Sequence, residues 1–214
     1  MANRPVFGVR TEWPFVRIAD VTFDFHPGLS AAQKRRNVTA IHEAYQSRFP
    51  ERKVLEISSK SMQEGGEKLS AFFLQKFVPS LGRTVAVENV YQSSKVFEYG
   101  GPYTDLLTVT PRESKKDERL KTSGKLIGFR FEDKDYPIRP ASIFYDYIYI
   151  NALLENEELA NILLQYDAFT DVEFNPAKGV SCQAQAAAEF VSLSRAGLLD
   201  QVRDFDSFLK LFRR

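Results

Sequence analysis

Cysteine is almost missing from this chain: one residue, Cys182, stands among 214. A lone thiol has no internal partner, so a disulfide framework is excluded and a cytoplasmic, reducing setting is expected. Cys182 itself is expected as a small packed residue. Histidine is nearly as scarce, with His26 and His42 in unrelated contexts. That is a poor supply for a zinc site or a Ser-His-Asp triad, and neither a metal nor a cofactor is expected. No apolar run is long enough to span a bilayer, and the opening MANRPVFGVR lacks the core of a signal peptide, so no membrane partner is expected. A charge excess is missing too. The net charge of +1 argues against a strongly electrostatic partner as the main binding mode, while leaving room for a local basic groove.

What is present is ordinary for a folded chain: 43% hydrophobic and 27% charged residues, close to the globular average. Phenylalanine stands out at 18 residues and points to a core built on aromatic packing. Alternating stretches within 5–25 read as strands, and Ser30 reads as the N-cap of a helix over 31–49. KVLEISSKS at 53–61 is β-like at its start. KLIGFRFEDKDYPI alternates, with Ile127, Phe129 and Phe131 on one side and a turn at 132–135. Residues 142–164 read as one or two helices, with Asn156 capping the second. SCQAQAAAEFVSLSRAGLL is a further helix stopped by Gly197, and DSFLKLF a last short one. The charged run at 112–121 is a solvated face or a contact for phosphates. The expectation is a single domain over 1–214, mainly α (α+β), helical with a small β component.

VAVENVYQSSKVF at 85–97 is the unusual stretch. On a helix over 86–97, Glu88, Tyr91, Gln92 and Lys95 fall at i, i+3, i+4 and i+7 and share one face. Val87, Val90 and Phe97 fall on an adjoining face that can pack. A solvated face carrying incidental polar groups is the competing reading.

VENVYQSSKVF resembles the Glu-x-x-Tyr-Gln-x-x-Lys-Phe-type signature of the NADAR superfamily, the YbiA-like N-glycosidases. KLSAFFL is similar to the Leu-Ser-Asn-Phe segment upstream of that signature, and TPRESKKDERLK to its Thr-Pro-x-x-Ala-Lys-Lys stretch. YDYIYINALLENEELANILL resembles the family's Asp-aromatic helix, and DVEFNP its second glutamate. The likeness runs in order over 57–199, leaving 1–56 as an N-terminal extension. TVAV stands where the family often has Trp-Pro-Thr, and AKGVSCQA where it often has Trp-Gly-x-Gly. VLEISSKS, YDAFTDVEFNP and SCQAQAAAEFV look like the branch paired with DarT-type toxins, which ADP-ribosylate DNA bases.

The resemblance implies a compact YbiA-like domain. It implies an antitoxin that cleaves ADP-ribose from a nucleobase in DNA, guanine foremost, with ADP-ribosylated DNA and a DarT-type toxin as partners. Lys95 would be the Schiff-base amine, with Glu88 and Glu173 the two carboxylates; which of them holds a proton stays open. Tyr91 and Gln92 would hold ribose hydroxyls or phosphate, and Ser70 and Phe72 would line the pocket. Asp146 and Asn175 are either substrate-binding or cap and turn residues. Arg35, Arg36, Arg112, Lys115, Lys116 and Lys121 are candidates for a basic rim. The alternatives are a glycosidase for a small riboflavin-pathway N-glycoside, a non-catalytic reader of ADP-ribose or nucleic acid, and an antitoxin acting by binding its toxin alone.

Overall fold

Short strands, more of them than the sequence advertises, frame this protein. The computed structural model describes residues 1–177 and 179–213. Strands β1 (Ala2–Val9) and β2 (Val16–Phe23) precede helix α1 (Ala31–Gln46) and strand β3 (Val54–Glu56). Strands β4 (Gln75–Val78) and β5 (Arg83–Ala86) lead into α2 (Val87–Ser93) and β6 (Lys95–Phe97). Then come α3 (Pro111–Lys116), α4 (Arg119–Thr122), β7 (Leu126–Phe131) and β8 (Lys134–Tyr136). Helices α5 (Ile143–Leu154) and α6 (Glu157–Leu163), strand β9 (Ala168–Thr170) and helices α7 (Gln183–Arg195) and α8 (Phe205–Phe212) follow.

The fold is therefore mixed α+β rather than mainly helical: about 40% helix and 20% strand, with three sheets among the described residues. The expectation of a mainly α domain fails for a physical reason. Strands β3, β6, β8 and β9 hold three residues each, too few for a period-two pattern to stand out from its surroundings. Among the described residues no helix is long and apolar enough to cross a membrane.

The chain divides into two compact units. The first, Met1–Ser70 with Glu157–Gln201, holds a four-stranded sheet in the order β2-β1-β9-β3. The β1–β2 pair is antiparallel, while β9 runs parallel to β3 with Leu55 opposite Phe169. Helix α1 buries Val38, Ile41 and Tyr45 against Val6, Ala19, Val21, Phe23 and Val54 of this sheet. Its start is fixed by a capping box, in which the Ser30 hydroxyl accepts from Gln33 N at 3.2 Å. Helix α7 buries Ala184, Ala186, Ala187 and Ala188, whose small side chains let it lie close along β1. Gly197, at φ 70°, ends that segment in the left-handed region.

The second unit, Ala71–Asn156 with the described residues from Val202 onward, holds the β4–β5 hairpin and the three-stranded sheet β6-β7-β8. Glu132 and Asp133 turn β7 into β8 with φ of 49° and 59°, the signature of a tight hairpin turn. The phenylalanine content finds its use here. Phe144 of α5 stacks on Phe129 at 4.5 Å and lies 4.8 Å from Tyr136, and Tyr147 and Phe205 extend the aromatic cluster. Ile127, expected beside Phe129 and Phe131, is 55% exposed instead. The β6–β7 register skips it: Gly128 faces Val96 and Leu126 faces Phe97, so Ile127 is the extra residue of a bulge.

The expected helix over 86–97 also needs correction. Helix α2 stops at Ser93, and Lys95 opens a strand opposite Phe129. Two consecutive serines explain the stop. The Ser93 and Ser94 hydroxyls both donate to Val90 O, at 3.0 and 2.7 Å, and compete with the main chain for that carbonyl. Neighbouring strands then take the backbone: Arg130 N donates to Ser94 O at 2.7 Å.

Because Phe144 is fully buried at the centre of the aromatic cluster, Phe144→Ala should cost about 3–5 kcal/mol. Urea denaturation followed by circular dichroism measures it; a loss under about 1 kcal/mol would mean that the cluster does not carry the second unit.

Candidate functional site

The site forms where α2 begins and ends. Its first free N–H groups are met by the preceding segment: Glu88 N donates to Ala71 O and Val87 N to Leu74 O, both at 2.9 Å. The KLSAFFL stretch thus fixes the helix start by backbone alone. Glu88 lies in the first turn, where the helix dipole favours a carboxylate, and its side chain is buried.

From there a relay of side chains runs to Lys95. Gln92 Nε2 donates to Glu88 Oε1 at 2.8 Å, and Lys95 Nζ donates to Gln92 Oε1 at 2.7 Å. The amide can face only one way, because its NH2 must meet the carboxylate and its oxygen the amine. Lys95 Nζ also stands 4.5 Å from the centre of the Tyr91 ring. Tyr91 is itself held by Tyr145 at 5.0 Å and by Phe129 at 5.6 Å. Although Lys95 has left the helix, the strand returns its amine to the stripe that Glu88, Tyr91 and Gln92 define.

Burial pushes the Lys95 amine down to about 8, with the Glu88 carboxylate opposing and the Lys115 ammonium adding to the fall. About a tenth of the molecules then carry a neutral amine at pH 7, against far less than a hundredth for an ordinary lysine. The arrangement can supply a nucleophilic amine and a carboxylate within one small volume.

Lys115, a candidate for the basic rim, has a partner that the sequence did not reveal. Its ammonium lies 3.6 Å from Glu88 Oε2 and 5.1 Å from the centre of the Phe72 ring. The charged run over 112–121 reads as a solvated face or a phosphate contact, with Lys115 a candidate for a basic rim, and this member of it is turned onto the buried glutamate. Asn89 places it: the side-chain amide donates to Leu106 O at 2.7 Å and Val109 O at 2.9 Å, holding the chain just before α3. A capping box at Thr110, with Glu113 Oε2 accepting from Thr110 N at 2.9 Å, then starts that helix. Arg112, Lys116 and Lys121 are exposed.

The remaining candidates are spread over both units. Asp146 is buried in the first turn of α5 and accepts from the Ser142 hydroxyl at 2.6 Å. Ser70 is buried at the end of the first unit's opening segment, and Arg35 and Arg36 are exposed on α1. Glu173 belongs to the first unit, where it is exposed and pairs with Lys34 at 3.5 Å. Asn175 is exposed beyond it, its Oδ1 accepting from Ala177 N at 3.0 Å in a turn.

The buried glutamate that feels the charge of Glu173 is Glu56. It accepts from the hydroxyls of Ser58 and Thr170, each at 2.6 Å, and from Val172 N at 2.8 Å. Burial raises its carboxyl, with these hydrogen bonds opposing and Glu173 adding. His42 Nε2 joins the network at Thr170 Oγ1, 2.8 Å away, and burial pushes its imidazole down to about 4. On α7, burial likewise pushes the Glu189 carboxyl up to about 7. A lone acidic residue inside the apolar run VLEI was the signal for Glu56.

The model of the DarT1-associated NADAR antitoxin family matches residues 2–214, and the chain belongs to that family. It is thus an antitoxin associated with a DarT1 toxin. No curated protein matched the sequence.

Two opposite shifts test the electrostatics. Glu88→Gln removes the charge that holds the Lys95 amine up, so its pKa should fall below about 8. Lys115→Met removes a repelling ammonium, so the same pKa should rise. NMR titration of isotope-labelled lysine reads both, and shifts in one common direction would refute the relay.

Proposed function

We propose that this antitoxin is an N-glycosidase that removes ADP-ribose from a modified nucleobase in DNA, with Lys95 as nucleophile. The observation that carries this is the Glu88–Gln92–Lys95 relay, which sets an amine that burial pushes down to about 8 beside a buried carboxylate.

The chemistry follows from the substrate. Opening of the ribose ring moves the base-amine proton to the ring oxygen and leaves a C=N bond at the anomeric carbon. The neutral Lys95 amine adds to that carbon. Its two protons pass to the base nitrogen, which departs as a free amine, and a Schiff base joins Lys95 to the sugar. Water then adds, the C–N bond breaks, and the aldehyde form of ADP-ribose leaves with the lysine amine restored. Positive charge builds on the anomeric carbon as the ring opens, and the Glu88 carboxylate stabilises it. Lys115, ion-paired to Glu88 and set over Phe72, is a direct contact for a phosphate of the ADP moiety. Phe72 and Tyr91 supply flat apolar faces at the two ends of this group.

Glu173, in the first unit, is the second carboxylate of this reading. The Glu56 hydrogen bonds tie residues 170–172 to β3, so the backbone leading to Glu173 is held, and its side chain pairs with Lys34.

Lys95→Ala should abolish release of ADP-ribose from modified DNA while leaving most of the affinity, since the amine acts on the reacting carbon. Borohydride added during turnover should fix an adduct on the Lys95 peptide, seen as a mass increase. For the wild type, kcat/KM should climb about tenfold per pH unit and level off near pH 8, as the ammonium gives up its proton. Release by Lys95→Ala at the wild-type rate would end the Schiff-base mechanism. Binding of modified DNA with no release by the wild type would favour a reader instead.

A further inference from the structure

The first unit carries a cleft of about 270 Å³, remote in sequence from the relay and lined by Val9, Arg10, Thr11, Glu12, Arg52 and Arg195. Three arginines from three distant parts of the chain converge there. Arg195, at the end of α7, is held rigidly: it donates to Asp167 Oδ1 at 3.0 Å, to Tyr166 O at 2.9 Å and to Leu164 O at 3.3 Å. Arg52 approaches the same Asp167 oxygen at 3.9 Å, while Oδ2 accepts from Lys53 N at 3.1 Å. Arg10 is fixed through its backbone, whose N–H donates to Ser192 Oγ at 3.1 Å. Its exposed guanidinium enters no ion pair among the described residues.

We infer that this cleft binds a phosphodiester of single-stranded DNA, with an adjacent base on Trp13. Charge selects the diester. The three guanidiniums, set against Glu12 and Asp167, leave a net charge of +1, which balances one diester phosphate but not the denser charge of a diphosphate or a terminal phosphate. Arg10 and Arg52 keep donors free for two phosphate oxygens, the fork geometry that arginine offers and lysine does not. Trp13, three residues after Arg10 on the same β1–β2 connection, is 43% exposed. An exposed ring three residues from an exposed arginine, on one short connection, is what base stacking along a strand needs. Glu12 adds an acceptor for a base amine. The inference rests on the reading of DNA as substrate and gives the protein a second hold on the strand, outside the reacting group.

Trp13 is the only tryptophan, so its fluorescence reports from the β1–β2 connection that carries Arg10 and Glu12. An unmodified single-stranded oligonucleotide of about a dozen nucleotides should quench it in a saturable way, since one site covers about 4–16 nucleotides. The Arg10→Ala/Arg52→Ala double variant should bind about tenfold more weakly, and the slope of log K against log salt should drop by about 0.7 for each phosphate that is no longer neutralised. Arg10→Glu, at an exposed side chain, gives the same test without touching the partners of Asp167. Release of ADP-ribose from a modified mononucleoside should be unchanged in either variant. Absence of quenching, or quenching by polyglutamate at the same concentration, would overturn the inference even if modified DNA were still processed. Quenching without any ADP-ribose release would uphold the cleft and sink the glycosidase reading instead.

Discussion

An amide stands between an acid and an amine in this protein, and the chemistry available to the site depends on it. Were Lys95 in direct contact with Glu88, the pair would lock the lysine as an ammonium and its pKa would rise. Gln92 prevents this. Its NH2 occupies one oxygen of Glu88 while Lys115 approaches the other, and only the neutral amide oxygen is offered to Lys95. Burial then decides the balance, because desolvation outweighs the attraction of a carboxylate screened by two other donors.

Such a relay works only if its three members cannot drift, and the local structure meets that demand with backbone rather than side-chain contacts. Glu88 and Gln92 are one turn apart on α2, whose start is pinned to Ala71 and Leu74. Lys95 is held by strand pairing with Phe129 across β6–β7. The switch from helix to strand takes place within Ser93 and Ser94, and Tyr103 N donating to Ser93 O at 2.9 Å supports it from outside. Gly101, at φ 83°, lies against the Lys95 carbonyl so closely that a Cβ there would collide with it. Glycine is what lets that loop pass.

Much of this was legible. The polar spacing of Glu88, Tyr91, Gln92 and Lys95 was found by assuming one helix, and the residues do converge, although the helix ends before Lys95. Helix α1 with its Ser30 cap, α7 with Gly197 and the turn at 132–135 also read correctly, since caps, glycines and alternation are local signals. The three-residue strands were not legible, because their partners lie far off in sequence: β9 pairs with β3 across more than a hundred residues. The same cause hid Lys115. The spacing within a charged run marks Lys115 as a rim candidate at most; its pairing with Glu88 appears only in the fold.

Glu56 shows where such reading meets its limit from the other side. Both Glu56 and Glu88 are buried carboxylates, and a sequence cannot rank them. The structure separates them by what satisfies each. Glu56 accepts from two hydroxyls and a backbone N–H, neutral donors that tie β3 to the residues after β9 and leave little capacity for a ligand. Glu88 is met by an amide and an exposed ammonium 3.6 Å away, a looser set that can yield one oxygen to a developing positive charge. A carboxylate closed by short neutral hydrogen bonds holds a fold together; one balanced by a movable cation is poised to exchange it.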